Sequence, residues 1–209
     1  MSTTTELTEQ YIAEHQSIKD CLKKGLINYS ALSRRIGKAI EQDKKSKPEA
    51  ILIAARRYKE KLAKMEGDEK VLNLFHNSSL EIKNRITTLI IDKNLLSESL
   101  IEIEKEIKKE RGLFFAIEGT KSITLIVQDQ HAIKLESKFK HNLVTKKEQL
   151  SLITITSSGI GVTKGAVSFL SGLFYEHGIN IEEFMSCHED TLVVIRSSDV
   201  VKAMQFLKF

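Results

Sequence analysis

The back two-thirds of this 209-residue chain runs through one order of elements twice, and that repetition restricts the fold more than any other feature. From Leu80 onward the hydrophobic period passes from 3.6 toward 2 and β-branched residues become frequent. Residues 85–92 read as a strand, 95–110 as a helix with Leu96, Leu100, Ile103 and Ile107 inward, 113–118 and 121–128 as a hairpin turning at Gly119-Thr120, and 130–139 as a second helix. The order then returns: a strand at 150–156, a helix at 164–177, a hairpin of 179–187 and 190–196, and a last helix at 199–208. Setting the helix-ending pairs Arg111-Gly112 and His177-Gly178 against each other places the copies 66 residues apart.

A strand, a helix, a hairpin and a helix cannot make a doubly wound parallel sheet. They make an antiparallel sheet with its helices on one face, the split β-α-β or ferredoxin-like arrangement. The expected class is therefore α+β, with an all-α domain over residues 1–70 and two β-α-β-β-α units over 80–147 and 148–209. The strand at 150–155 is apolar or threonine at nearly every position, which predicts burial on both faces, against the other unit or another subunit. The second unit has no fourth strand following its last helix, so its edge is expected to be completed from elsewhere in the protein or by another subunit.

Residues 6–24 carry Leu7, Tyr11, Ile18 and Leu22 at helical spacing, with an interruption expected near Ser17 and a stop at Gly25. Asn28 is placed to cap a helix over 29–41, and Pro48 to open one over 48–65 with Ile51, Ala55, Tyr58 and Leu62 as its buried stripe. All the net charge of +4 lies here: residues 1–70 hold 15 Lys/Arg against 11 Asp/Glu, and residues 71–209 hold 17 against 17. Three such helices resemble a helix-turn-helix or winged-helix unit, in which Arg34, Arg35, Arg56, Arg57, Lys59, Lys61 and Lys64 would face DNA or a protein partner. The loop before Pro48 is longer than the usual tight turn, which leaves a plain helical bundle or a docking platform as the other reading.

No apolar stretch approaches the ~20 residues a membrane span needs, and no signal region opens the chain, so a cytoplasmic protein without a membrane partner is expected. Cys21 and Cys187 are too far apart in sequence, and too few, for a disulfide framework or a zinc cluster. Cys187, His188, Glu189 and Asp190 are consecutive on a hairpin turn and cannot all converge on one metal ion. No cofactor, metal or catalytic residue is expected: the sequence holds no carboxylate pair, Ser/His/Asp arrangement or P-loop pattern.

The most informative stretch is 154–181, where a strand ends in Ser157-Ser158, a glycine-bearing loop follows, and a helix opens near Gly165. Backbone N–H groups at a helix start, aided by the helix dipole, can hold a carboxylate or phosphate. Gly159, Gly161 and Gly165 also approximate a dinucleotide fingerprint with Glu182 beyond it, but the spacing departs from that fingerprint and a hairpin stands where a helical crossover is needed.

This loop, the run Tyr175-Glu176-His177-Gly178-Ile179-Asn180-Ile181, and the later Met185-Ser186-Cys187 with Asp190–Ile195 following resemble the ACT domain, in its aspartokinase-type form. The likeness covers 150–209 and is weaker over 80–147, where Asp92-Lys93-Asn94-Leu95 replaces the glycine loop; the proline common in that loop is also missing, with Val162-Thr163 in its place. The resemblance implies regulation without chemistry. Units would pair into a homo-oligomer and hold an amino acid at their interface through Ser157, Ser158, Gly159, Ile160, Gly161, Val162 and Thr163, with Asn180 and Ile181 opposite. The helical front domain would then report to DNA or to a biosynthetic enzyme. The alternative is a dimerisation module with no ligand.

Overall fold

The computed structural model describes residues 2–40, 47–63, 68–93 and 97–209. The chain divides into two units, 1–66 and 67–209.

In the first unit, apolar residues every third or fourth position coil the chain into α1 (Thr4–Glu14), α2 (Gln16–Lys23), α3 (Tyr29–Ile40) and α4 (Pro48–Ala63). Thr3 begins α1 with a capping box: its hydroxyl accepts from the Glu6 N–H at 3.2 Å, and its own N–H donates to the Glu6 carboxylate at 2.8 Å. The interruption expected near Ser17 falls at His15, whose ring stacks on Tyr11 and whose Nδ1 lies 2.7 Å from the Tyr11 carbonyl. Asn28 caps α3 as anticipated, accepting from the Ala31 N–H at 3.0 Å. Ile12, Leu22, Leu32, Ile36, Ile51 and Leu62 form the core. Residues 41–46 of the connector before Pro48, and Lys64, lie outside the described residues.

The second unit opens with α5 (Asp68–His76), where no element is anticipated, and continues as two halves. The first half is β1 (Ser79–Asp92), α6 (Ser97–Lys109), β2 (Phe114–Glu118), β3 (Ser122–Gln128) and α7 (Asp129–Lys138). The second is β4 (Leu143–Thr156), α8 (Ala166–Glu176), β5 (Glu183–Cys187), β6 (Asp190–Arg196) and α9 (Val200–Phe206). Every strand pairing is antiparallel, in the order β2-β3-β1-β4-β6-β5. The fold is α+β, and among the described residues no two strands joined by a helix lie side by side in the sheet, which removes the dinucleotide reading.

The strands β1 and β4 are each 14 residues long, more than the sequence reading allotted, and each serves both halves. The forward part of β1 pairs with β3 on one side and with 143–147 of β4 on the other, while 79–83 runs beside 152–156 of β4. The leading segment of each long strand thus supplies the fourth strand of the other half, and the edge left open in the sequence is covered from within the chain. The register shifts between these segments, where Arg85 and Gln149 sit at equivalent bulges with φ of 59° each.

Alternation along β4 sends Ile153 and Ile155 into a core with Leu170 and Phe174 of α8. Leu150 and Leu152 go to the opposite face, where they meet Ile86 and Ile126 of the first half. Both faces of this strand are buried, and the two halves cover each other's second face. Beneath α6 and α7 the first half has its own core, built from Leu89, Ile91, Ile103, Leu125 and Phe139.

Candidate functional site

The loop after β4 is shaped by two glycines with φ of 88°, Gly159 and Gly165, a conformation other residues rarely adopt. A Cβ on Gly161 would lie 3.1 Å from the His188 carbonyl, so a close approach keeps that position small. The donors that were expected to meet a ligand are largely engaged. The Ser157 N–H donates to the Glu189 carbonyl at 2.8 Å, and those of Ile160, Val162 and Thr163 donate to carbonyls inside the loop. The Thr163 hydroxyl also turns inward, to the Gly159 carbonyl at 2.9 Å. Ile160 is buried in the core below, whereas Ser158, Gly161 and Val162 face outward.

The helix α5 closes this loop further. Its Val71 and Phe75 sink into the core of the second half, where Phe75 packs against the rings of Phe169 and Phe209. The carbonyl of Leu74, near the end of α5, accepts the Ser157 hydroxyl at 2.9 Å. Ser157 is 4% exposed, and both its N–H and its hydroxyl are bonded to protein.

Asn180 and Ile181 lie at the other end of the sheet. Thr156 pairs with Asp190 at the hairpin end of β6, whereas the Glu182 N–H bonds to Val194 near its far end. At ~3.3 Å per residue the length of β6 sets the loop and Asn180 roughly 20 Å apart. The second half alone therefore does not bring the loop and Asn180 onto one small molecule. Ile181 packs against the apolar core, and the Asn180 amide donates to Glu182 at 3.1 Å.

Asn180 instead lines a groove of about 1250 Å³ at the paired bulges. Asn84, Arg85, Glu148 and Gln149 come from the bulges, Asp129 from the start of α7, Lys147 from β4, and Glu182, Arg196 and Ser197 from the ends of β5 and β6. Glu182, its side chain only 6% exposed, accepts from Lys147 at 2.7 Å and lies 3.5 Å from Arg196 Nε. The Lys147 hydrogen bond is the main reason its carboxyl is held below the ordinary value, against an opposing push from burial; the Asn180 bond and the nearby charges help lower it. The neighbouring Glu183 carboxyl is pushed the other way, chiefly by burial.

A smaller groove of about 620 Å³ occupies the equivalent place in the first half, and its lining is chemically different. Lys83 stands where the second half has Lys147, Leu113 where it has Glu182, and Gln128 where it has Arg196. With the acid replaced by leucine, Lys83 pairs with Glu81 at 3.3 Å. The strand skeleton is repeated; the charged constellation belongs to one copy. No signal in the linear sequence marks that groove, because its walls are drawn from both halves. Asn94 and Leu95, in the loop position of the first copy, lie outside the described residues.

In the first unit, three of the anticipated contact cations also hold the helices together. Lys61 bonds to Glu9 at 2.9 Å, Arg35 donates to the Tyr11 hydroxyl at 3.3 Å, and Arg56 lies over the Tyr29 ring at 5.4 Å. Arg34 and Arg57 are exposed, and Lys59 is half-buried. Among the described residues no group of three or more His, Cys, Asp or Glu is placed to hold a metal, and no helix is long and apolar enough to cross a membrane.

No protein-family model and no curated protein matches the chain. Solved structures do match it in fold. Aspartate kinase from Clostridium acetobutylicum, described as an allosteric enzyme, is 18% identical with a TM-score of 0.53 over 62% of this chain and 34% of its own. A structure of aspartokinase alpha and beta subunits is 11% identical with a TM-score of 0.50, covering 62% of this chain and 94% of that one. Aspartate kinase from Synechocystis is 13% identical with a TM-score of 0.50, over 62% of this chain and 26% of that enzyme. The chain thus spans about a third or less of the two whole kinases it resembles, and what it shares with them is an ACT-like, ferredoxin-type fold.

Proposed function

We propose that this chain is a regulatory protein without chemistry of its own, which senses a small metabolite, an amino acid, through its doubled sheet. The observation that carries this reading is the fold: two interlocked β-α-β-β-α halves of the kind found in an enzyme described as allosteric. A ligand acts in such a device only through its differential affinity for two arrangements of the protein. The segment α5 suits the role of relay, since it follows directly on the first unit in sequence and is bonded to the loop at Ser157.

In this reading the loop of Ser157, Ser158, Gly159, Ile160, Gly161, Val162 and Thr163 is first a seat for α5. Its meeting with Asn180 and Ile181 on one ligand requires a second copy of the chain, as in a homo-oligomer. The output is control of a partner enzyme. Arg35, Arg56 and Lys61 are already engaged within the helices, which favours a docking platform over a DNA-binding unit.

The test is thermal unfolding of the full chain with each of the standard amino acids. A ligand at about one hundred times its dissociation constant adds ~2.7 kcal/mol, so at least one amino acid at millimolar concentration should raise the midpoint by several degrees. A flat response to all of them would leave dimerisation without a ligand as the function. A gel shift with mixed DNA at low salt should show no binding; a retarded band that weakens steeply with salt would return the output to transcription.

A further inference from the structure

Two charges on the groove at the paired bulges have no counter-ion among the described residues. The other ionised groups lining it are paired. Lys147 and Arg196 are turned on Glu182, and Glu148 meets Lys146 at 2.7 Å. That leaves Arg85 and Asp129. The Asp129 carboxylate, in the first turn of α7, accepts a hydroxyl hydrogen bond from Thr87 at 2.7 Å, which orients it without supplying a cation. Arg85 stands at the bulge with a φ of 59°, a conformation that is costly for a residue with a Cβ and persists only where the surroundings impose it. The imposed backbone sets the direction in which the side chain leaves the strand.

One cation and one carboxylate opening onto a single groove are the complement of a zwitterion. We propose that this groove, away from the glycine loop, receives the head group of an α-amino acid. Arg85 takes the carboxylate, for which its planar fork is suited, and Asp129 takes the ammonium. Val200 and Val201 supply an apolar wall for the side chain, Val201 being 74% exposed. The duplication does not repeat this pair: Gln149 stands at the bulge equivalent to Arg85, and Ser197 follows β6 where Asp129 follows β3. One site per chain follows. Arg85 belongs to the first half's leading strand and Asp129 to its helix α7, while Val200 and Val201 belong to α9 of the second half. A bound amino acid therefore bridges the two halves.

This assignment rests on the sensing reading above, and the experiment separates the two. Thermal shift is measured on the full chain with each standard amino acid, and for any that responds the concentration giving half the maximal shift is compared among variants. Arg85→Asn places a residue tolerant of positive φ at the bulge, and Asp129→Asn keeps the oxygen that Thr87 bonds. Either should raise the half-maximal concentration at least tenfold, whereas Arg85→Lys, which keeps the charge, should raise it less than Arg85→Asn. A variant outside both places, Tyr175→Ser on the exposed face of α8, should leave it within twofold, and Val162→Asp probes the loop itself. If the wild-type chain responds and Arg85→Asn and Asp129→Asn respond at the same concentrations, the groove assignment is overturned while sensing stands. Loss of response in Val162→Asp alone would return the ligand to the loop. Silence of the wild-type chain to every amino acid would remove both.

Discussion

At the scale of single residues, Glu182 ties the charged groove together, and its behaviour with pH is determined by its neighbours. Its carboxyl is held below the ordinary carboxylate value by Lys147 first. A group whose folded-state value is depressed contributes stability that is complete above the unfolded value and disappears as pH falls through the folded one. Glu182→Gln should therefore cost about 1 kcal/mol at neutral pH, since the lysine end of the pair is well exposed. Urea midpoints of the two proteins should converge as pH falls below the ordinary carboxylate value of 4.5. Glu183, whose value burial raises, works in the opposite sense: protonation on acidification relieves a cost of folding, in variant and wild type alike. A gap that persists unchanged in acid would show that Glu182 contributes through packing rather than charge. Single residues also explain a small error of alignment. The pairs Arg111-Gly112 and His177-Gly178 look equivalent as letters, yet the residues with positive φ are Arg111 and Gly178, at 57° and 62°. Arginine stands in the first copy at the position that glycine fills in the second, so the glycines misplace the register by one.

Among elements, α5 decides how the candidate loop behaves. Phe75 is 1% exposed beneath it, and truncation of a buried phenylalanine costs ~3–5 kcal/mol. Phe75→Ala should thus loosen α5 and speed hydrogen exchange of the Ser157 and Ile160 amides more than those of β1. Ser157→Ala leaves the Leu74 carbonyl without its donor, for about 1 kcal/mol. Equal exchange rates with and without these changes would show that the loop holds its shape without the helix. The strands and helices of the two halves were readable because their patterns differ: 86–91 is a short run of isoleucine, leucine and threonine, whereas Ile103 and Ile107 recur four apart. The leading part of β4 was not readable, since Thr145-Lys146-Lys147-Glu148-Gln149 has no apolar alternation and is held as strand by pairing with β1. Residues 68–76 carry Val71, Leu74 and Phe75 at helical spacing, a signal too short to stand out beside the lysine-rich run before it. The loop at 157–163 was legible as a loop; that α5 would sit on it depends on a contact 83 residues apart in sequence.

The whole molecule shows why a doubled sequence need not mean two separable modules. The boundary read between 147 and 148 falls inside β4, one strand that serves both halves. Neither half has a complete sheet of its own, because 79–83 belongs in space to the second and 143–147 to the first. Cleaving the backbone at the turn between Lys140 and His141 would give a front fragment carrying β1 to β3 and a back fragment carrying β4 to β6. Each should be poorly ordered in isolation. Mixed in equal amounts, they should recover the far-ultraviolet spectrum of the intact chain and elute together as a one-to-one complex, whereas two fragments that fold fully on their own and ignore each other would contradict the shared strands. The crossed strands make the two halves complementary pieces, so that severing the chain need not undo the fold: reconstitution from parts is built into the way the duplication was joined.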